Sequence, residues 1–116
     1  MLEALDEGQH ATGVRAGLLL CTLREFPAET SMATARLAVR YHGQGVVGFD
    51  IAGNEADFPV VAHVAAFRYA REHGLPCIAH AGEARGADGI REVLEAFRPV
   101  RLGHGVRCIE DEDLMA

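Results

Sequence analysis

The chain has 116 residues, a length suited to one small domain or one piece of a larger one. Hydrophobic residues make up 49% and aromatics only 6%, so a core must be built from Ala, Val, Leu and Ile, as in α/β proteins. A net charge of −6 and a pI near 5.4 argue against a nucleic-acid partner, and no run approaches the ~18 apolar residues of a membrane span.

Residues 1–12 read as the end of a helix, and an apolar run from Val14 to Leu23 follows. Met32, Ala35 and Val39 mark a helix between Thr30 and Gly43, and a second apolar run covers Val46 to Ala52. Val60, Val64 and Phe67 form a helical stripe after Pro59, a residue suited to a first turn. Gly74 stops that helix, and Pro76 opens the third run, Leu75 to His80. Ile90, Val93, Leu94 and Phe97 fall at i, i+3, i+4 and i+7, with Asp88 as the expected cap. The last run, Val100 to His104, leads to Glu110–Ala116, which reads as the opening turns of one more helix. No signal peptide opens the chain. Three scattered cysteines, Cys21, Cys77 and Cys108, fit a reducing cytoplasm better than a disulfide or thiolate-zinc framework.

The order is therefore (helix)-β-α-β-α-β-α-β-(helix). Continuous rather than alternating apolar strands predict a parallel sheet covered on both faces. Right-handed crossovers leave a doubly wound open sheet or an arc of a (β/α)8 barrel. The chain begins and stops inside predicted helices, and a barrel needs roughly 250 residues. A fragment is expected.

Three strand ends carry candidate chemistry. His80 closes an apolar run, and Ala81-Gly82 can turn Glu83 back toward it. An imidazole at a strand end is a common zinc ligand, and a nearby carboxylate can shuttle protons. The same spacing also fits a buried histidine beside an exposed turn carboxylate. His104, flanked by Gly103 and Gly105, ends the next strand and would lie beside it. Gly53, after Asp50-Ile51-Ala52, could present its backbone N–H to a flat heterocycle while Asp50 orients a neighbour. A plain strand-to-helix turn capped by Asn54 or Asp57 is the alternative there. His10, His42, His63 and His73 are expected to face solvent.

Together, Asp50-Ile51-Ala52-Gly53-Asn54-Glu55, His80-Ala81-Gly82-Glu83 and Gly103-His104-Gly105 resemble the adenosine deaminase family in order and approximate spacing. Leu18 to Arg24 is similar to its third strand. The resemblance covers the whole chain but only strands three to six of the family's barrel. It implies an incomplete (β/α)8 barrel, residues 1–116 being a central fragment of that domain with boundaries inside helices. It also implies a zinc-dependent hydrolase converting adenosine or deoxyadenosine to inosine and ammonia. In that family the residue matching His80 is a zinc ligand, and the one matching Glu83 gives a proton to the purine ring. The residue matching His104 orients or deprotonates the attacking water, and the one matching Gly53 meets substrate through its N–H.

The family's first-strand H-x-H pair and last-strand Asp-Asp pair are absent, and its Gly-Asp-Glu is Gly53-Asn54-Glu55 here. One imidazole cannot make a tetrahedral zinc site, so the isolated chain is expected to be inactive. An open arc exposes two sheet edges, which predicts self-association. Sibling deaminases of adenine, adenylate or a modified adenosine share these motifs. A non-catalytic remnant that kept the scaffold is an alternative of a different class.

Overall fold

The computed structural model describes all 116 residues. Four strands, β1 (Leu18–Leu23), β2 (Val46–Ala52), β3 (Ile78–Ala81) and β4 (Arg101–His104), alternate with helices. The helices are α1 (Leu2–Thr12), α2 (Ala28–Arg40), α3 (Val64–Glu72), α4 (Ala87–Phe97) and α5 (Glu112–Met115), with 3-10 turns at Val60–His63 and Val106–Glu110. None is long and apolar enough to cross a membrane.

All pairings are parallel, and the strands lie in sequential order. β1 pairs with β2 along its length, and β3 pairs with β4, with His80 opposite Gly103 and Ala81 opposite His104. Only the Phe49–Cys77 bridge joins β2 to β3 by backbone, through an N–H of Phe49 donated to Pro76. This is the arc of a (β/α)8 barrel, with one loose seam.

Helices α3 and α4 pack their apolar faces on the middle of the arc. Phe67 stacks on Phe97 at 3.8 Å between ring centroids and tilts against Phe49 at 4.7 Å, tying α3, α4 and β2 together. All three rings are fully buried, and truncating Phe67 to alanine would cost about 3–5 kcal/mol. Small residues let the helices approach, since Ala35, Ala38, Ala66 and Ala70 are buried at the helix contacts.

Three sequence expectations fail. Only the central strands are buried on both faces: β1 alternates, and both ends of β4 are exposed, because each is an edge. Asp88 is not the cap of α4. Gly86 holds that position, and Asp88 sits in the first turn paired with Arg85 at 2.8 Å. His63 does not face solvent; it is fully buried, because the turn before α3 sets its ring between Ser31 of α2 and the Arg24 carbonyl. His10, His42 and His73 are exposed as expected. Gly74 adopts φ +74° after α3, a conformation that ends a helix cheaply only with glycine.

Candidate active-site rim

Parallel strands put every carboxyl end on one rim, and the candidate residues gather there. Cys77, Ala79 and Ala81 point into the core, which leaves His80 half-exposed at the end of β3. Its Nδ1 lies 3.1 Å from Asp50 Oδ1 and 3.2 Å from the Ile51 carbonyl oxygen. Both partners are acceptors, so Nδ1 carries the hydrogen, and in the neutral imidazole Nε2 keeps its lone pair. Gly103 lies under the ring: a Cβ there would come within 2.6–2.8 Å of Cδ2, Cγ and Nε2. The same His80 that reaches outward also closes the weak seam between β2 and β3.

Glu83 and His104 complete the group. His104 Nε2 lies 3.3 Å from Glu83 Oε2, and the His80 and His104 rings meet edge to face at 5.3 Å. His104 has φ +61°, in the left-handed region where a side chain other than glycine costs about 1–3 kcal/mol. That conformation turns its ring off the end of β4 toward Glu83. Gly53 stands apart from these contacts. It has φ +100° beside Glu25, its N–H makes no bond within the chain, and a Cβ there would strike the Glu25 carboxylate. Asn54 accepts from the N–H groups of Ala56 and Asp57, capping a turn rather than a helix.

Beneath the rim lies a layer that sequence reasoning missed. Arg24, only 3% exposed, donates to the carbonyl of His80 at 2.9 Å and of Phe58 at 3.3 Å, while its Nε has no partner. Burial lowers its pKa, and the charges of Glu55 and Glu92 oppose that fall. Arg24 is held in turn by a buried polar chain. His63 Nε2 faces its carbonyl oxygen at 3.1 Å, so His63 Nδ1 accepts from Ser31 at 2.6 Å and Ser31 accepts from Thr22 at 2.8 Å. Glu55, 6% exposed, takes the backbone N–H groups of Gly82, Glu83, Ala84 and Arg85. Burial would raise the Glu55 pKa, but these four donors together pull it below the usual carboxylate value. A charged residue directly after a strand was the only available signal for Arg24. Glu55 stood in the motif that matches the family's Gly-Asp-Glu, but nothing in the sequence said that it reaches the Gly82–Arg85 turn.

The rim does not by itself hold a metal. No group of three or more His, Cys, Asp or Glu side chains converges to bind one, and Cys77, its thiol pushed up to about 11 by burial, is no thiolate donor. His80 Nε2 is one suitable donor, where zinc takes three or four. What the residues can do alone is present a fixed imidazole lone pair beside a carboxyl–imidazole pair able to exchange a proton.

The adenosine deaminase family model matches residues 1–116. An adenosine deaminase of Clostridium acetobutylicum is 38% identical over 114 residues, 98% of this chain and 34% of that one. The crystal structure of adenine deaminase from Arthrobacter aurescens superposes with a TM-score of 0.86 at 29% identity, covering 97% of this chain and 34% of that one. An amidohydrolase of Burkholderia ambifaria solved with bound zinc shares the fold, with a TM-score of 0.88 at 23% identity over 95% of this chain and 30% of that one. The chain thus spans about a quarter to a third of the length of the curated relatives it matches. With its motifs, its parallel arc and a match along its entire length, the chain belongs to the adenosine deaminase family.

Proposed function

We propose that residues 1–116 form a central part of a barrel enzyme that hydrolytically deaminates a purine at its amino-bearing carbon. The observation that carries this reading is the pairing of His104 with Glu83 beside an imidazole whose Nε2 is free. Glu83 is the proton donor to the purine ring, which makes the neighbouring carbon electron-poor. His104 orients the attacking water and takes its proton. Gly53 offers its N–H to the substrate edge. His80 supplies one ligand of a zinc ion whose other ligands come from outside these residues; when bound, zinc supplies an activated water near neutral pH.

Adenosine is the first-choice substrate, supported by 38% identity to an adenosine deaminase. The likeness to an adenine deaminase makes free adenine the alternative. Three free cysteines are in keeping with a reducing, cytoplasmic setting.

The test is a chimera in which residues 1–116 replace the matching third of the Clostridium acetobutylicum relative. We expect zinc-dependent loss of adenosine, reduced at least about 100-fold by Glu83→Gln and abolished with zinc binding by His80→Ala. A folded chimera that turns over neither adenosine nor adenine overturns the reading. So does full activity in Glu83→Gln.

A further inference from the structure

Glu83 is exposed, and His104 is the one side chain that pairs with its carboxylate. Its place is therefore set by its own backbone, the turn from Gly82 to Arg85. That turn is gripped on both sides. Its N–H groups all point at Glu55: Gly82 donates to Oε1 at 2.7 Å, and Glu83, Ala84 and Arg85 donate to Oε2 at 3.0, 2.8 and 3.0 Å. On the carbonyl side, Arg107 binds Gly82 through its N–H at 3.2 Å and Ala84 through its guanidinium at 2.9 Å. Surface turns normally leave such N–H groups to water. Here a carboxylate from a different βα unit has been buried instead, an arrangement that is stable only because its bonds are charge-assisted.

We propose that Glu55 is a positioning residue for the reaction, clasping the Gly82–Arg85 turn so that Glu83 stands at the rim against His104. The inference rests on the reading of Glu83 as proton donor. Glu55 touches no reacting atom; it acts through the turn. The requirement is for two anionic oxygens. A glutamine offers one acceptor oxygen and turns an NH2 donor toward the remaining N–H groups. With the NH2 in the place of Oε1 the Gly82 amide loses its partner, and in the place of Oε2 the amides of Glu83, Ala84 and Arg85 lose theirs.

The experiment uses the same chimera with Glu55→Gln, Glu55→Asp and Glu83→Gln. Glu55→Gln is expected to lower kcat about 100-fold, the scale of a misplaced catalytic group, with KM little changed. Amides 82–85 should exchange hydrogen faster, and the thermal transition should persist. Glu55→Asp keeps the charge and should recover part of both kcat and amide protection. Wild-type kcat in Glu55→Gln, while Glu83→Gln is inactive, overturns the clasp and leaves the functional reading standing. Loss of kcat only alongside loss of the thermal transition in both Glu55 variants also overturns it, since Glu55 would then be scaffold alone. Activity retained in Glu83→Gln defeats the functional reading itself.

Discussion

His80 Nδ1 sits 3.1 Å from Asp50 Oδ1, across the one seam of the arc that backbone pairing barely closes. One hydrogen bond thus does two jobs. It bridges β2 to β3, and it fixes the imidazole with Nε2 outward. Asp50 is 5% exposed and also accepts the Ile51 N–H at 2.7 Å, so its own position is locked. In a complete barrel, Asp50→Ala should weaken zinc binding about 10–100-fold, the usual cost of losing such an orienting partner. Zinc retention against a chelator, measured on the chimera, checks this; unchanged retention would show that Asp50 does not orient His80.

Gly103→Ala should displace His80 rather than unfold β4. The added methyl would meet the ring at 2.6–2.8 Å, and the His80 side chain, 38% exposed, can shift toward solvent. The expected cost is about 1–3 kcal/mol, with activity lost far beyond what stability explains. Denaturant melts read beside turnover separate the two effects. Full activity would place the ring elsewhere.

Ser31→Ala breaks the buried chain from Thr22 to Arg24. His63 Nδ1 would then be left without its donor in a dry environment, at about 1–3 kcal/mol. Urea unfolding should show the loss. Because Arg24 lies between this chain and the His80 carbonyl, the amide of Ala81 and its neighbours should also exchange faster.

Acid should loosen the Gly82–Arg85 turn. Burial disfavours the Glu55 charge, yet four N–H donors win and its folded pKa lies below 4.5. A depressed carboxyl pKa contributes stability that is fully present above the unfolded value and is lost as pH falls through the folded one. Stability of the native chain should therefore decline below about pH 4.5. Glu55→Gln should lack this part of the decline. Identical acid limbs in the two proteins would refute the clasp's charge dependence.

The isolated 116 residues should associate with one another. The outer edges of β1 and β4 are unpaired, and Leu19, Leu23, Val47 and Val100 are exposed. Sedimentation velocity across a range of concentrations should show assembly. A single monomeric species throughout would contradict it.

Much of the arc was legible beforehand because its signals are local. β2 runs over Val46–Ala52, the span its apolar run marks, and the stripe Ile90–Phe97 falls in α4; of the stripe Val60, Val64 and Phe67, the last two fall in α3 and Val60 in the 3-10 turn before it. His80 and His104 were expected on adjacent strand ends, and the register sets Ala81 beside His104. The strand starts at Val14, Leu75 and Val100 were placed early, since apolar residues in loops look like strand to a pattern reading. The burial of His63 was invisible for the opposite reason. A histidine in a short turn carries no periodicity to say which way it faces.

By itself, the sequence determined the element order, the parallel pairing and the motifs that bring His80, Glu83 and His104 to one rim. Those depend on hydrophobic spacing and on glycines at strand ends, which act within a few residues. Only the tertiary structure decided how the rim is held: Asp50 on His80, Arg24 on the His80 carbonyl, and Glu55 on four amides 27 to 30 residues away. Such bonds form because buried donors and acceptors must find partners, and which partner is near is known only once the chain has folded.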